Sequence, residues 1–445
     1  MQPAARSVRS TMARLFSSFR RKPLPPPLPG PLLHQDEPVD EEICPGYNSK
    51  KFYPASPGEV LADRYQILVK VGWGVSSTVW LARDMRGGES EPESVVALKI
   101  TNTNKSSAKD ELEIEAHIAG TDPSHRGYPL FRTSLDWFEV SSPEGAHLCL
   151  AYEPMREPIW LFQRRFKDGR IPLPIVKTYI LFLLAGLDYL HEACRVVHTD
   201  LKLENIMVTF EDSAVLGDFM NSQFDQPMHY KIDSTGRPVY RCHNDFGPLR
   251  KINNIIPKIV DFGLATRLDC DDCGIYPIQP DHYRAPEVIL GCGWRTSADI
   301  WNLGILIWDI MQGQELFHQV YDKQGHYDAK AHLAEMIALL GPPPPGLIAR
   351  TYSTVGYKFP EPVRKDDGNV CENSEQYFGG PFFSKDGKFL HDDLIPNRTL
   401  ADTIPSLEES DRENFLSFVK MMLSWIPEER KTAGELMKHP FLRLK

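Results

Sequence analysis

The spacing of hydrophobic positions changes once along this chain. Between 64 and 100 they alternate or run together in short stretches, RYQILVKVG at 64–72, STVWLARD at 77–84 and SVVALKI at 94–100, with turn residues such as Gly87-Gly88 between them. That texture predicts β-strands. AKDELEIEAHIA (108–119) predicts a short helix and HLCLAYEPM (147–155) another buried strand. After Pro158 the period becomes helical: from 174 to 193, Ile175, Tyr179, Ile180, Leu183, Leu184, Leu187 and Leu190 share one face. The expected class is α+β, a small β-rich lobe with one main helix followed by a large, mainly helical lobe. Folded sequence is expected to begin between Tyr47 and Tyr65, and no internal repeat is visible. No apolar run approaches the roughly 20 residues of a membrane span. The longest, around Tyr179–Leu187, is interrupted by Gly186 and ended by Asp188, and reads as a buried helix.

With 445 residues and 42% hydrophobic content the chain has room for two or three domains and a sizeable core. The formal charge is −10, but residues 1–22 carry Arg6, Arg9, Arg14, Arg20, Arg21 and Lys22 and no acid, so the remainder holds 44 basic against 60 acidic side chains. An acidic body suits basic partners and argues against a nucleic-acid ligand. The first 22 residues, rich in Arg and Ser, have the composition of a mitochondrial transit peptide; a disordered basic tail with a nuclear signal at Arg20-Arg21-Lys22 is the alternative. Residues 23–32 read as a Pro-rich extended linker. The expected organisation is a disordered or targeting tail over 1–46, a small lobe over 47–155 and a large lobe over 156–445, in the cytoplasm and nucleus unless 1–22 directs the chain to mitochondria. Eight cysteines indicate free thiols in a reducing compartment; Cys270-Asp271-Asp272-Cys273 lacks the second pair that structural zinc needs.

The eight residues His198-Thr199-Asp200-Leu201-Lys202-Leu203-Glu204-Asn205 carry the chemistry. They read as a catalytic loop for phosphoryl transfer. Asp200 can accept the proton of an attacking alcohol, Lys202 can meet the transferring phosphoryl group, and Asn205 can ligate Mg²⁺. The stretch Val71-Gly72-Trp73-Gly74-Val75-Ser76-Ser77-Thr78-Val79 lies between two strand candidates, where glycines let backbone N–H groups approach phosphate. Its third glycine position is Ser77. Lys99, in VVALK, is the expected α/β-phosphate lysine and Ala97 an adenine-pocket wall, with Glu153 and Met155 of the connecting strand completing the nucleotide pocket. Glu111 is the expected carboxylate partner of Lys99, Glu115 the alternative one helical turn on.

Two aspartates compete for a second metal role. Asp218-Phe219 stands 13 residues after Asn205; Asp261-Phe262-Gly263 stands 56 after it, following the apolar strand KIV. Only the second supplies a glycine for a sharp reversal, and only it stands 26 residues before Glu287. Asp261 is therefore assigned to Mg²⁺, with residues 209–257 an insertion in the large lobe.

These motifs, followed by Tyr283-Arg284-Ala285-Pro286-Glu287, Ser297-Ala298-Asp299-Ile300-Trp301 and WIPEER, resemble the eukaryotic protein kinases throughout 65–442. The resemblance implies the two-lobed kinase fold, ATP and Mg²⁺ as cofactors, a protein substrate, and an ion pair between Glu287 and Arg430. Several stretches resemble a narrower family, the serine/arginine-rich (SR) protein kinases, and within it the fungal branch: the glycine loop with Ser77-Thr78-Val79-Trp80-Leu81-Ala82, the insertion between catalytic loop and DFG, and Thr199 in place of arginine. An arginine there would pair with a phosphorylated activation segment. Without it, and with Thr266 as the one Ser/Thr between Leu264 and His282, activity without activation-segment phosphorylation is expected. The resemblance also implies Arg/Ser-rich substrates held on acidic surface, here Glu315, Asp322 and Asp328 within 313–332 and the acidic loop 269–272. A monomer is expected. The rival readings are a proline-directed kinase and a pseudokinase scaffold.

Overall fold

The computed structural model describes residues 21–87, 93–223, 225–268, 272–354, 357–365, 367–405 and 407–444. They form two compact units. The first comprises 21–113, 132–157 and 209–255, the second 114–131, 158–208 and 256–444.

The first unit is built on a six-stranded antiparallel sheet of β1 (Val60–Leu61), β2 (Tyr65–Trp73), β3 (Ser77–Asp84), β4 (Ser94–Thr101), β5 (Asp136–Ser142) and β6 (Gly145–Tyr152), in the order β1-β2-β3-β4-β6-β5. The central strands are apolar runs because both their faces are covered. Strand β5, at the edge, alternates half-buried with exposed residues. The helix α1 (Lys105–Thr121) follows β4.

The insertion, expected inside the large lobe, belongs to this sheet unit instead. Asp212 caps its helix Ser213–Ser222 by accepting from the amide of Ala214. Val215, Phe219 and Met220 from that helix, with Met228 and Phe246, share one hydrophobic core with Ile67, Trp80 and Leu98. The antiparallel hairpin Tyr230–Ile232 with Pro238–Tyr240 follows. The insertion also reaches β2, where the amide of His243 donates to the carbonyl of Lys70 at 2.8 Å.

The tail expected to be disordered over 1–46 is ordered from Arg21 on, residues 1–20 lying outside the described part. Gln66 bonds both the amide and the carbonyl of Leu24, at 2.9 and 2.7 Å. Residues 31–33 pair with Tyr230 through two backbone hydrogen bonds, 2.8 and 3.1 Å. Further on, the buried Lys70 ammonium is held by Glu41, by Asp40 at 3.1 Å and by the carbonyl of Tyr240 at 2.8 Å. Proline content makes this segment extended, as expected; the carboxylates at 40–42 and the insertion hairpin fix where it lies.

The second unit is mainly helical. Its central helices are α2 (Leu173–Asp188), which runs on into a π turn at Tyr189–Ala193, and α3 (Ser297–Gln312), buried from Ala298 to Gln312. Contrary to the expectation from run length, the helix Leu173–Ala193 is long and apolar enough to cross a membrane by composition. Its apolar side chains lie in the core of this unit. A short antiparallel pair, Ile206–Val208 with Pro257–Ile259, sets the strand that follows Asn205 beside the strand that precedes Asp261.

Candidate active site

In the first unit, register places Val79 opposite Lys99 and Leu81 opposite Ala97, so strand alternation gives all four one face of the sheet. Lys99 Nζ lies 2.6 Å from Glu111 Oε1, both side chains largely buried. Gly72 and Trp73 pair with Val79 and Thr78, and the amide of Gly74 closes the loop on the carbonyl of Ser77 at 2.9 Å. Val75 at the tip is exposed, whereas Ser77 is buried. Thr78 departs from the expectation of a nucleotide contact. Its hydroxyl accepts from the Trp80 indole at 3.1 Å, on the opposite face from Val79 and Lys99. In the segment after β6 Met155 is buried, and the Glu153 carbonyl accepts from Arg132 Nε at 2.8 Å.

In the second unit the catalytic loop is held from beneath by one carboxylate. Asp299, fully buried, accepts the amides of His198 (2.7 Å) and Thr199 (3.0 Å) and contacts His191 Nε2 at 2.9 Å. The π turn after α2 brings His191 there, an irregularity of a kind common at functional sites. Asn302, one turn along α3, donates to the carbonyl of Leu201 at 3.0 Å. His198 Nε2 meets the carbonyl of Val260 at 3.1 Å, while its Nδ1 accepts from the amide of Asp200, which fixes the ring as the Nε2–H tautomer.

Above that floor, Lys202 Nζ sits 2.9 and 3.1 Å from the two carboxylate oxygens of Asp200. The Asn205 amide nitrogen donates to the carbonyl of Asp200 and to its Oδ2, both at 2.8 Å. With both N–H groups engaged, Asn205 presents its Oδ1 to any cation. The amide of Val260 bonds the carbonyl of Asn205 at 3.0 Å, so Asp261 follows directly from the strand beside the loop. Asp261 is exposed and its φ of +66° is left-handed. The expected reversal at Gly263 is thus made at the aspartate itself. Hard oxygen donors from two side chains suit Mg²⁺, which keeps waters and phosphate oxygens for its remaining positions. Among the described residues no group of three His, Cys, Asp or Glu side chains is arranged for a metal. Asp218 is excluded: it lies on the insertion helix, largely exposed, 2.6 Å from Arg250, with Phe219 in the core.

Thr199 carries a positive φ of +65°, unusual for a β-branched residue, and its hydroxyl donates to the carbonyl of Leu264 at 2.7 Å. Beyond Leu264, Thr266–Arg267 pair antiparallel with Val196–Val197, and the amide of Leu268 bonds the carbonyl of Arg195 at 2.9 Å. Glu287 and Arg430 form a bidentate pair at 2.7 and 2.6 Å, both side chains fully buried, with the carbonyls of Ser297 and Ser424 taking further guanidinium N–H groups. In the 313–332 stretch, Asp328 caps the helix Ala329–Leu340 and Asp322 closes its own turn, whereas Glu315 faces His282 at 3.1 Å. Of the acidic loop 269–272, residues 269–271 lie outside the described residues. Sequence reasoning missed His191 and Asn302; the first depends on the π turn, and the second sits at a turn of α3 that composition does not distinguish.

A sheet unit presenting an ion-paired lysine and a helical unit presenting an Asp-Lys-Asn loop define a phosphotransferase of the protein kinase fold. The protein kinase domain model matches residues 65–242 and 249–442. A serine/threonine protein kinase of Aspergillus fumigatus is 33% identical over 440 residues, covering 96% of this chain and 98% of that protein. The serine/threonine-protein kinase SRPK of Physarum polycephalum is 30% identical, covering 91% of each. The mouse dual specificity protein kinase CLK2 is 28% identical, covering 86% of this chain and 65% of that one. A crystal structure of a kinase domain matches with a TM-score of 0.60 at 24% identity, covering 89% of this chain and 100% of that one, a likeness of fold. The chain belongs to the eukaryotic protein kinases, as an SRPK-like member, and is an ATP-dependent serine/threonine protein kinase.

Proposed function

We propose that this kinase phosphorylates Ser hydroxyls in Arg/Ser-rich proteins and is active without phosphorylation of its activation segment. The observation that carries the reading is the bond from the Thr199 hydroxyl to the Leu264 carbonyl. It ties catalytic loop to activation segment by a neutral contact, where an arginine would need a phosphate to neutralise it. The acidic body and the SRPK relative support a basic substrate.

In this reading Asp200 orients the substrate hydroxyl and accepts its proton, and Lys202, held against Asp200, offsets charge on the phosphoryl group in transit. Lys99, kept in place by Glu111, and the 72–79 loop bind the nucleotide phosphates. Asn205 Oδ1 and Asp261 would hold Mg²⁺, which would supply charge neutralisation on the phosphates. The test is phosphatase-treated full-length protein, assayed with Asp200→Asn as control, on Arg-Ser repeats against Ser-Pro and acidic peptides. Activity that survives phosphatase and favours Arg-Ser is expected. Loss of activity after phosphatase sinks the regulatory half, and preference for Ser-Pro sinks the substrate half.

A further inference from the structure

Residues 22–33 of the sheet unit read KPLPPPLPGPLL. Proline fixes φ and removes the amide donor, so such a run settles as polyproline II, a left-handed helix of about three residues per turn. The burial pattern has that period. Leu24, Pro27, Gly30 and Leu33 are half-buried, and every residue between them is exposed. Among the described backbone hydrogen bonds none joins two residues of this stretch, and none of its residues has a positive φ.

A helix of that period has three edges. The inward edge is fixed to the sheet unit. Gln66 holds both backbone groups of Leu24, at 2.9 and 2.7 Å, and the amide of Leu33 donates to the carbonyl of Tyr230 at 2.8 Å. Between them Gly30 lies so close to the Met228 carbonyl oxygen that a methyl there would stand 1.9 Å from it. The other two edges, Pro23-Pro26-Pro29-Leu32 and Lys22-Pro25-Leu28-Pro31, are exposed along their whole length. Leu28 is 77% and Leu32 69% exposed. Beside them is a cavity of about 170 Å³ lined by Leu28, Pro29, Leu68, Tyr230 and Tyr240. Covering the sheet accounts for the inward edge alone. Two continuous apolar edges left outward mark an interaction surface.

We propose that this strap is a docking ligand for a partner protein carrying an SH3-type domain, which reads the two outward edges while the inward edge stays on the kinase. Aromatic-lined grooves recognise polyproline II as a preformed, low-entropy helix. A groove that receives two edges of a three-edged helix leaves the third outside it, and here the kinase itself occupies the third. Holding the strap in place beforehand lowers the ordering cost of binding further. Charge selects the kind of groove and the direction of reading. Exposed Lys22 opens one outward edge and exposed Asp36 follows the other end of the run. An acidic rim beside the aromatic groove attracts the first and repels the second, so the run is read one way round.

The experiment titrates full-length kinase with a panel of isolated SH3 domains, with WW domains as the comparison, by calorimetry. Binding of at least one SH3 domain with a Kd of about 1–100 μM is expected. The double variant Leu28→Ser, Pro29→Ala takes one side chain from each outward edge and should weaken that binding about tenfold or more, with kinase activity and melting temperature unchanged. Lys22→Glu should weaken it severalfold and reduce its salt dependence. In the complex the amides of Leu24 and Leu33 should keep their protection from hydrogen exchange. No SH3 domain binding more tightly than about 1 mM, or binding indifferent to the double variant, overturns the proposal. Loss of protection at Leu24 and Leu33 overturns the division of edges, and binding by WW domains alone, indifferent to Lys22→Glu, overturns the choice of partner.

Discussion

Replacing Thr199 by valine removes one hydroxyl from the catalytic loop and little else. The side chain is 1% exposed, and valine keeps its shape and its β-branch at a φ of +65°. What disappears is the 2.7 Å bond to the carbonyl of Leu264. A neutral hydrogen bond of this kind contributes about 0.5–1.5 kcal/mol net. The Leu264 side chain is exposed, so water can partly replace the lost donor and the cost belongs in the lower half of that range. At about 1 kcal/mol, the population of the pinned activation segment relative to the released one falls roughly fivefold. The expected result for phosphatase-treated Thr199→Val is a severalfold lower kcat/KM and faster amide exchange at Thr266 and Leu268, whose backbone bonds to Val197 and Arg195 lie immediately downstream.

Thr199→Asn separates the bond from the backbone. Asparagine tolerates the left-handed region and retains a donor, so it eases a conformation that costs a β-branched residue about 1–3 kcal/mol. It should stay close to wild type while valine falls. If valine matches wild type in both turnover and exchange, the bond does not couple loop to segment, and the activation segment is held by its strand pairing alone.

Three further outcomes follow from other contacts. Glu287→Gln leaves Arg430 charged and fully buried with its carboxylate gone, which should cost about 3–5 kcal/mol and show as a lower denaturation midpoint and poor soluble yield. Asp309 is held at about 8, above its ordinary value of 3.8, so the stability it contributes is complete below pH 4 and lost as pH rises toward 8. Asp309→Asn should therefore flatten the fall in melting temperature between pH 5 and 8; an unchanged slope would mean that the carboxyl is ionised throughout. Gly30→Ala would place a methyl 1.9 Å from the carbonyl oxygen of Met228, so residues 31–33 must part from Tyr230. Limited proteolysis should then cut within 21–46 without touching the catalytic loop.

Gly30 and Phe219 also show where sequence reasoning stopped. The strands around Ile67, Trp80 and Leu98 and the helix bearing Leu183 and Leu187 were legible because their apolar spacing follows from local geometry. Lys99, Asp200, Lys202, Asn205 and Asp261 stood out as candidates because their order and spacing are unusual in combination. The insertion carried no such local sign. Phe219, Met228 and Phe246 are too widely spaced to set a period, and the surface that covers them is a sheet formed by residues far away in sequence. The tail misled for a related reason: proline predicts extension correctly, but Asp40 and Glu41 are ordinary surface residues until Lys70 is buried against them. Backbone strain misled in the opposite direction. Gly263 looked like the turn residue because glycine is the residue that makes a positive φ cheap, yet the positive φ falls on Asp261, as it does on Thr199. Both positions belong to the candidate site, where packing imposes on a side chain a conformation its own preferences disfavour. A glycine at 199 would remove that strain and also the hydroxyl that meets Leu264, so the loop keeps a strained threonine at the point where it grips the activation segment.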